Sequence, residues 1–240
     1  MYIMRPYISI LIPLYNGIEF LKECIDSVIA QTYGDWEAII GINGHGDDGG
    51  AVAASAKLIA QVDTRIRVIV QKKDIDNKVK SMNNMMEYAE GEWISILDCD
   101  DKWEPTKLEE QMVARHGVAK NAGVIGTLCR YFGERTDSPA IPTGMLNTHE
   151  LVHYNMIINS SALVHRSLCN WRYIDINPGM DDYEMWLRIA LSGCKMYNVP
   201  KILTHHRLHK ASSFNTKSQN PRALQIAFHE GLKNKLAWVS

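Results

Sequence analysis

No apolar run in the chain reaches the ~18 residues that a membrane-spanning helix needs, so no transmembrane segment is expected. A disulfide framework is missing too. The five cysteines, at 24, 99, 129, 169 and 194, are scattered, odd in number and without a C-x-x-C pair. Reduced thiols and a cytoplasmic protein are therefore expected, with peripheral attachment to a membrane left open. Nor is there an excess of either charge. With 26 basic and 27 acidic residues the formal charge is −1, which removes the electrostatic case for a nucleic-acid partner. Internal repeats and low-complexity tracts are also lacking. The segment Met1-Tyr-Ile-Met-Arg5-Pro6 is read as leading straight into a strand.

What is present suits an α/β fold. At 240 residues and 46% hydrophobic, the chain can bury a substantial core. Tyr7–Pro13, Trp36–Ile42, Arg65–Val70 and Trp93–Leu97 read as short buried strands. Between them, apolar residues at 20, 21, 24, 25, 28 and 29 fall on one helix face, and Ala51–Gln61 and Val79–Ala89 read as further helices. Such βα repetition predicts a mainly parallel sheet with helices on both faces. A helix is expected over Lys107–His116 after Pro105. The second half is less regular: strands over Gly123–Leu128 and Ile157–Val164, a surface loop over Gly133–Asn147, and a helix opened by Asp182 and stopped at Gly193. An extended Lys195–Leu203, a polar cationic stretch from Thr204 to Ser213 and a final helix over Pro221–Trp238 complete the reading. That last helix is expected to pack on the domain or to form a homodimer contact.

The densest chemical signal is Ile94-Ser-Ile-Leu-Asp98-Cys-Asp100-Asp101-Lys-Trp103-Glu-Pro105, where an apolar strand ends in three carboxylates within four residues. Like charges so close together repel, and a fold keeps them where a cation or a ligand's donors neutralise them. The carboxyl ends of strands are also where open α/β sheets bind ligands. The competing reading is an acidic turn on a solvated face.

Three stretches, in order, resemble the family-2 glycosyltransferases of the GT-A fold. They are Ile12-Pro-Leu-Tyr-Asn16 with Leu21 to Tyr33; Leu97-Asp-Cys-Asp-Asp101 with Trp103, Pro105, Lys107, Leu108 and Gln111; and Asp181-Asp-Tyr-Glu-Met-Trp-Leu-Arg188. The resemblance implies a GT-A-like, Rossmann-like sheet flanked by helices with a less regular acceptor side. It also implies a hexosyltransferase-type enzyme moving a sugar from a nucleotide-sugar to an acceptor hydroxyl, with Mn²⁺ or Mg²⁺ as cofactor. One domain would span 1–215, with a nucleotide-sugar half at about 1–115 and an acceptor half at about 116–215, followed by a helical tail at 216–240. The acceptor could be a glycan, a lipid-linked sugar or a protein.

By that resemblance Asp100 and Asp98 form the D-x-D metal motif, and hard oxygen ligands suit such ions. Asp98 would alternatively reach the ribose, and Asp101 the sugar's hydroxyls or a cap on the helix at Pro105. Asp182 is the candidate general base, inverting the anomeric centre, with Asp181 beside it; both also suit the helix dipole. Pro13, Tyr15 and Asn16 would line the nucleoside site, and Lys78 would lie near the nucleotide; ordinary packing and a solvated lysine are the plainer readings. Arg207 and His209, followed by Ser212 and Ser213, resemble a loop that closes over the diphosphate, where His209 would join the metal shell. Acceptor contacts are expected from 133–150, from Asn159-Ser160-Ser161, and from Trp171, Tyr173 or Trp186.

One position departs from the family pattern. After the second strand the family shows Asp-Asp-Gly-Ser, and Asn43 stands where its second Asp would be. An amide can still pair with uracil, so a UDP-sugar is the favoured donor, with GDP- and dTDP-sugars open. Gly44-His-Gly46-Asp-Asp-Gly49 also satisfies G-x-G-x-x-G, but it follows the second strand and carries two aspartates into a would-be pyrophosphate cradle. The alternatives held open are a sugar-phosphate nucleotidyltransferase and a non-catalytic nucleotide- or sugar-binding domain of the same fold.

Overall fold

The computed structural model describes residues 7–46, 49–72, 75, 77–172, 180–210 and 226. Asp47, Tyr173, Ser212, Ser213 and, apart from Ile226, the helix expected over Pro221–Trp238, with its homodimer contact, lie outside the described residues.

The first half alternates as its periodicity dictates. Strands β1 (Ile8–Leu14), β2 (Trp36–Ile42), β3 (Ile66–Val70) and β4 (Trp93–Ile96) alternate with helices α1 (Ile18–Ile29), α2 (Gly50–Ala60) and α3 (Lys78–Tyr88). The order β3-β2-β1-β4 is parallel throughout. Period-two alternation sorts the strand residues between two cores. Ile8, Ile10 and Ile12 pack against Leu21, Ile25 and Val28 of α1, while Leu11 and Ile39 pack against Val79, Met82 and Met85 of α3. Gly41 makes the second contact close: a Cβ there would lie 2.5 Å from Met85 Sδ.

After β4 come β5 (Lys102–Trp103), α4 (Lys107–His116), β6 (Ala122–Gly133), β7 (Gly144–Met145), β8 (Leu163–His165), α5 (Asp181–Leu191) and β9 (Lys195–Leu208). The sheet continues β4-β8-β6-β9-β5, with β7 added on β9. β8 runs antiparallel to both β4 and β6, and β9 runs parallel to β6, so the sheet is mixed but mostly parallel. No helix among the described residues is long and apolar enough to cross a membrane.

The loop expected over Gly133–Asn147 carries the two-residue strand β7, and three other local expectations change. The strand expected over Ile157–Val164 is only Leu163–His165, because Asn159–Ser161 forms a 3-10 turn whose backbone folds back on Ile158 and Asn159. β5 was not foreseen; two residues carry too little pattern to read. The cationic stretch at Thr204–Leu208 is strand, since neighbours satisfy its polar groups. Thr204 Oγ1 lies 2.9 Å from Thr127 Oγ1, His205 Nε2 lies 2.6 Å from Glu104 Oε1, and His206 Nδ1 lies 2.9 Å from Asp101 Oδ2.

Candidate active site

The carboxyl ends of β1, β2 and β4 lie side by side, since Leu14 pairs with Ile42 and Leu11 with Ile96. The turns leaving these strands carry Tyr15–Gly17, Asn43–Gly46 and Asp98–Asp101 to one edge, the usual ligand edge of such a sheet. Residues of the D-x-D segment's flanks hold that edge from within. Trp103 Nε1 donates to Ser160 O at 2.7 Å, Gln31 Nε2 to Glu104 O at 2.8 Å, and Gln111 Nε2 to Ser161 O at 2.9 Å. Lys107 is fully buried, 2.9 Å from Ser95 Oγ and 3.7 Å from the Trp103 ring centre. Burial depresses its pKa.

Asp98 sits in a web of donors. Lys78 Nζ reaches Oδ1 at 2.7 Å, Asn159 Nδ2 reaches Oδ2 at 3.1 Å, and the Asp98 N–H donates to Ser160 Oγ at 3.1 Å. Burial pushes this carboxyl up, but Lys78 and Asn159 outweigh it and hold it below the ordinary value. Lys78 opens α3, whose first turn is capped by Asn77 Oδ1 accepting from Lys80 N at 3.0 Å. Burial disfavours the Lys78 charge; Asp98, then Asp182 and Asp181, override it and raise the lysine's pKa. The one ammonium thus couples Asp98 to the first turn of α5.

Asp182 lies in that first turn, one turn before the buried Trp186. Its carboxyl is pushed up to about 6, chiefly by burial and further by Asp181 and Asp98, against the pull of Lys78. Asp100 is likewise raised to about 6, by burial and then by Asp101 and Asp98. Its Oδ2 is 3.1 Å from His209 Nε2.

Asp101 turns inward. It is 1% exposed; Oδ1 accepts from Arg207 N at 2.8 Å and Oδ2 faces His206 Nδ1. The α4 cap position is Thr106, without a side-chain hydrogen bond, so Asp101 does not take the capping role read from sequence. Arg207 also differs from expectation, lying at the end of β9 rather than in a loop. Its Nε donates to Asp100 O at 3.0 Å and its guanidinium pairs with Glu23. Glu23, His206 and His45 were absent from the sequence reading.

At the end of β1, Tyr15 is 57% exposed and borders an open cleft of about 250 Å³ with Asn16, Glu19 and His45. Gly44, at φ +81°, allows this loop to close on Tyr15, because a Cβ would fall 2.2 Å from the tyrosine ring. Pro13 pairs with Gly41 inside the sheet; Asn43 is 6% exposed and its N–H donates to Leu14 O at 3.1 Å.

For a divalent ion the chemistry of the donors fits: Asp100 carboxylate and His209 imidazole adjoin, with Asp98 two residues earlier. Among the described residues no three such side chains are gathered closely enough to hold an ion by themselves. Asp98 is already engaged on both oxygens, by Lys78 and Asn159.

The fold is that of the GT-A glycosyltransferases. Among solved structures, Staphylococcus aureus TarS 1–349 in complex with UDP-GlcNAc matches with a TM-score of 0.69 at 13% identity, over 96% of this chain and 65% of that one. The chain thus spans just under two thirds of that structure's length. The mannosyltransferase PcManGT from Pyrobaculum calidifontis, in complex with GDP-Man and Mn²⁺, matches at 0.64 and 14%, over 98% and 71%. The glycosyl transferase family 2 model matches residues 9–169, and the chain belongs to that family. One relative is the UDP-Glc:α-D-GlcNAc-diphosphoundecaprenol β-1,3-glucosyltransferase WfgD of Escherichia coli, 31% identical over 242 residues, covering 97% of this chain and 89% of that protein. WfaP of Escherichia coli, of the same description, is 25% identical over 214 residues, covering 85% and 78%.

Proposed function

We propose that this glycosyltransferase moves a sugar from a UDP-sugar to an acceptor hydroxyl with inversion, using Mn²⁺ or Mg²⁺. The observation that carries the reading is the Asp98–Lys78–Asp182 arrangement. In it one ammonium pairs with Asp98 and pulls electrostatically on Asp182, whose pKa burial raises. In the reaction Asp182 takes the proton of the acceptor hydroxyl as its oxygen bonds to the anomeric carbon. The bond from that carbon to the phosphate oxygen breaks, and the diphosphate departs with the electron pair. Lys78 stands where it can face that charge, and Tyr15 and Asn16 border the cleft assigned to the nucleoside, with Pro13 and Asn43 at the adjoining strand ends. Asp100, with Asp98 and His209, would hold the divalent ion, which supplies Lewis-acid stabilisation of the leaving diphosphate.

The choice of UDP follows the donors named for WfgD and WfaP and the UDP-GlcNAc held by TarS. A lipid-linked sugar diphosphate follows from the acceptor named for the two Escherichia coli enzymes, and would bring the protein to a membrane surface. We assign the work to one domain over 1–215, with the donor half at 1–115 and the acceptor half at 116–215. The test is a panel of nucleotide-sugars with Mn²⁺ or Mg²⁺, each with and without an undecaprenyl-diphosphate sugar. UDP release that requires both metal and acceptor supports the reading; release of nucleotide from no donor rejects it.

A further inference from the structure

Arg207 makes two hydrogen bonds to the D-x-D turn. Its backbone N–H donates to Asp101 Oδ1 at 2.8 Å, and its Nε donates to the carbonyl of Asp100 at 3.0 Å. One residue therefore holds both positions after Cys99, Asp101 through its main chain and Asp100 through its side chain. The guanidinium is held in turn: its Nη2 pairs with Glu23, and it packs 4.5 Å from the Phe20 ring centre and 4.2 Å from that of Phe132. Its side chain is 17% exposed. Glu23 divides its two oxygens between Arg207 and Lys102, which it meets at 2.6 Å. Phe20 also packs on the His209 ring at 5.1 Å between centres.

A guanidinium that serves a phosphate presents its edge donors to the ligand. Here one edge is spent on a main-chain carbonyl and a carboxylate, and aromatic rings cover the cation. We propose that Arg207 is a positioning residue that locks the Asp98–Asp101 turn onto β9, held by Glu23, Phe20 and Phe132, and that it does not contact the diphosphate. The consequence for the donor site rests on the function proposed above, whereas the clamp itself does not.

Two measurements separate these. Hydrogen–deuterium exchange of the segment 98–103 reads the clamp without any ligand. Loss of one buried hydrogen bond or its support should speed exchange about tenfold in both Arg207→Gln and Glu23→Gln. Unchanged protection in either variant overturns the clamp. Calorimetry with UDP and UMP at saturating Mn²⁺ reads the phosphate role. The preference for UDP over UMP should be the same in wild type, Arg207→Gln and Glu23→Gln, while the Mn²⁺ needed to form the UDP complex rises by a similar factor in both variants. The double variant should need no more Mn²⁺ than the worse single. Collapse of the UDP preference in Arg207→Gln alone would make Arg207 a phosphate ligand and overturn the proposal. Failure of wild type to bind either nucleotide would reject the donor reading, and exchange would still decide the clamp.

Discussion

The Lys78 ammonium, 2.7 Å from Asp98 Oδ1, also draws down the carboxyl of Asp182, so two acids from distant parts of the chain share one counter-charge. Asp182 must be ionised to accept a proton, so kcat/KM should rise with pH through about 6. Replacing Lys78 with Met removes the larger pull on Asp182 and leaves burial opposed only by the Tyr183 backbone hydrogen bond. The acid limb of the pH–rate profile should then move to higher pH. A limb that stays in place in Lys78→Met would show that Asp182 is not the titrating base.

Asp182→Asn keeps the shape and hydrogen-bonding reach of the side chain but cannot take a proton. Transfer should fall by roughly 10²–10⁴, while UDP binding with Mn²⁺, followed by calorimetry, stays close to wild type. An active Asp182→Asn enzyme would move the base elsewhere, with Asp181 the next candidate in the same turn.

Asp100 meets the His209 imidazole at 3.1 Å, whereas Asp98 is engaged on both oxygens by Lys78 and Asn159. Asp100→Ala should therefore lose both transfer and Mn²⁺-dependent UDP binding. His209→Ala should raise the Mn²⁺ concentration for half-maximal rate and leave the rate at saturating metal less affected. Chelation with EDTA should stop the wild-type enzyme, and added Mn²⁺ should restore it. Full activity in EDTA would dismiss the metal.

Much of this arrangement is written in local pattern. The alternation in Ile8–Leu14 and the helical spacing from Phe20 to Ile29 specify a strand and a helix with one buried face each, and both form. Asp98 and Asp100 stand out because charge packed at a strand end is costly without a partner, and Asp182 because the stretch that follows it matches the family. What local pattern does not carry is pairing across distance. Nothing near Arg207 marks it as the partner of Glu23, 184 residues away, and Asp101 and His206 meet across 105. Thr204–Leu208 reads as a polar loop until Thr127, Glu104 and Asp101 are known to face it. Asn159 and Ser160, read as acceptor contacts, meet Asp98 only because their turn leads into β8, the neighbour of β4.

The pairing of His206 with Asp101 makes stability depend on pH. Burial opposes the imidazolium, but Asp101 first, then Asp98 and Asp100, raise its pKa to about 9 from the ordinary 6.5. The folded protein therefore binds this proton more tightly than the unfolded chain does. The stabilisation is complete below pH 6.5, falls as pH rises between the two values, and is gone above about 9. Its size is on the order of 3 kcal/mol. Urea midpoints for wild type should thus drop between pH 6.5 and 9.5. In His206→Gln, which cannot be charged, the midpoint at pH 6.5 should already be lowered and that part of the slope should vanish. Equal pH slopes in the two proteins would refute the pairing as a source of stability.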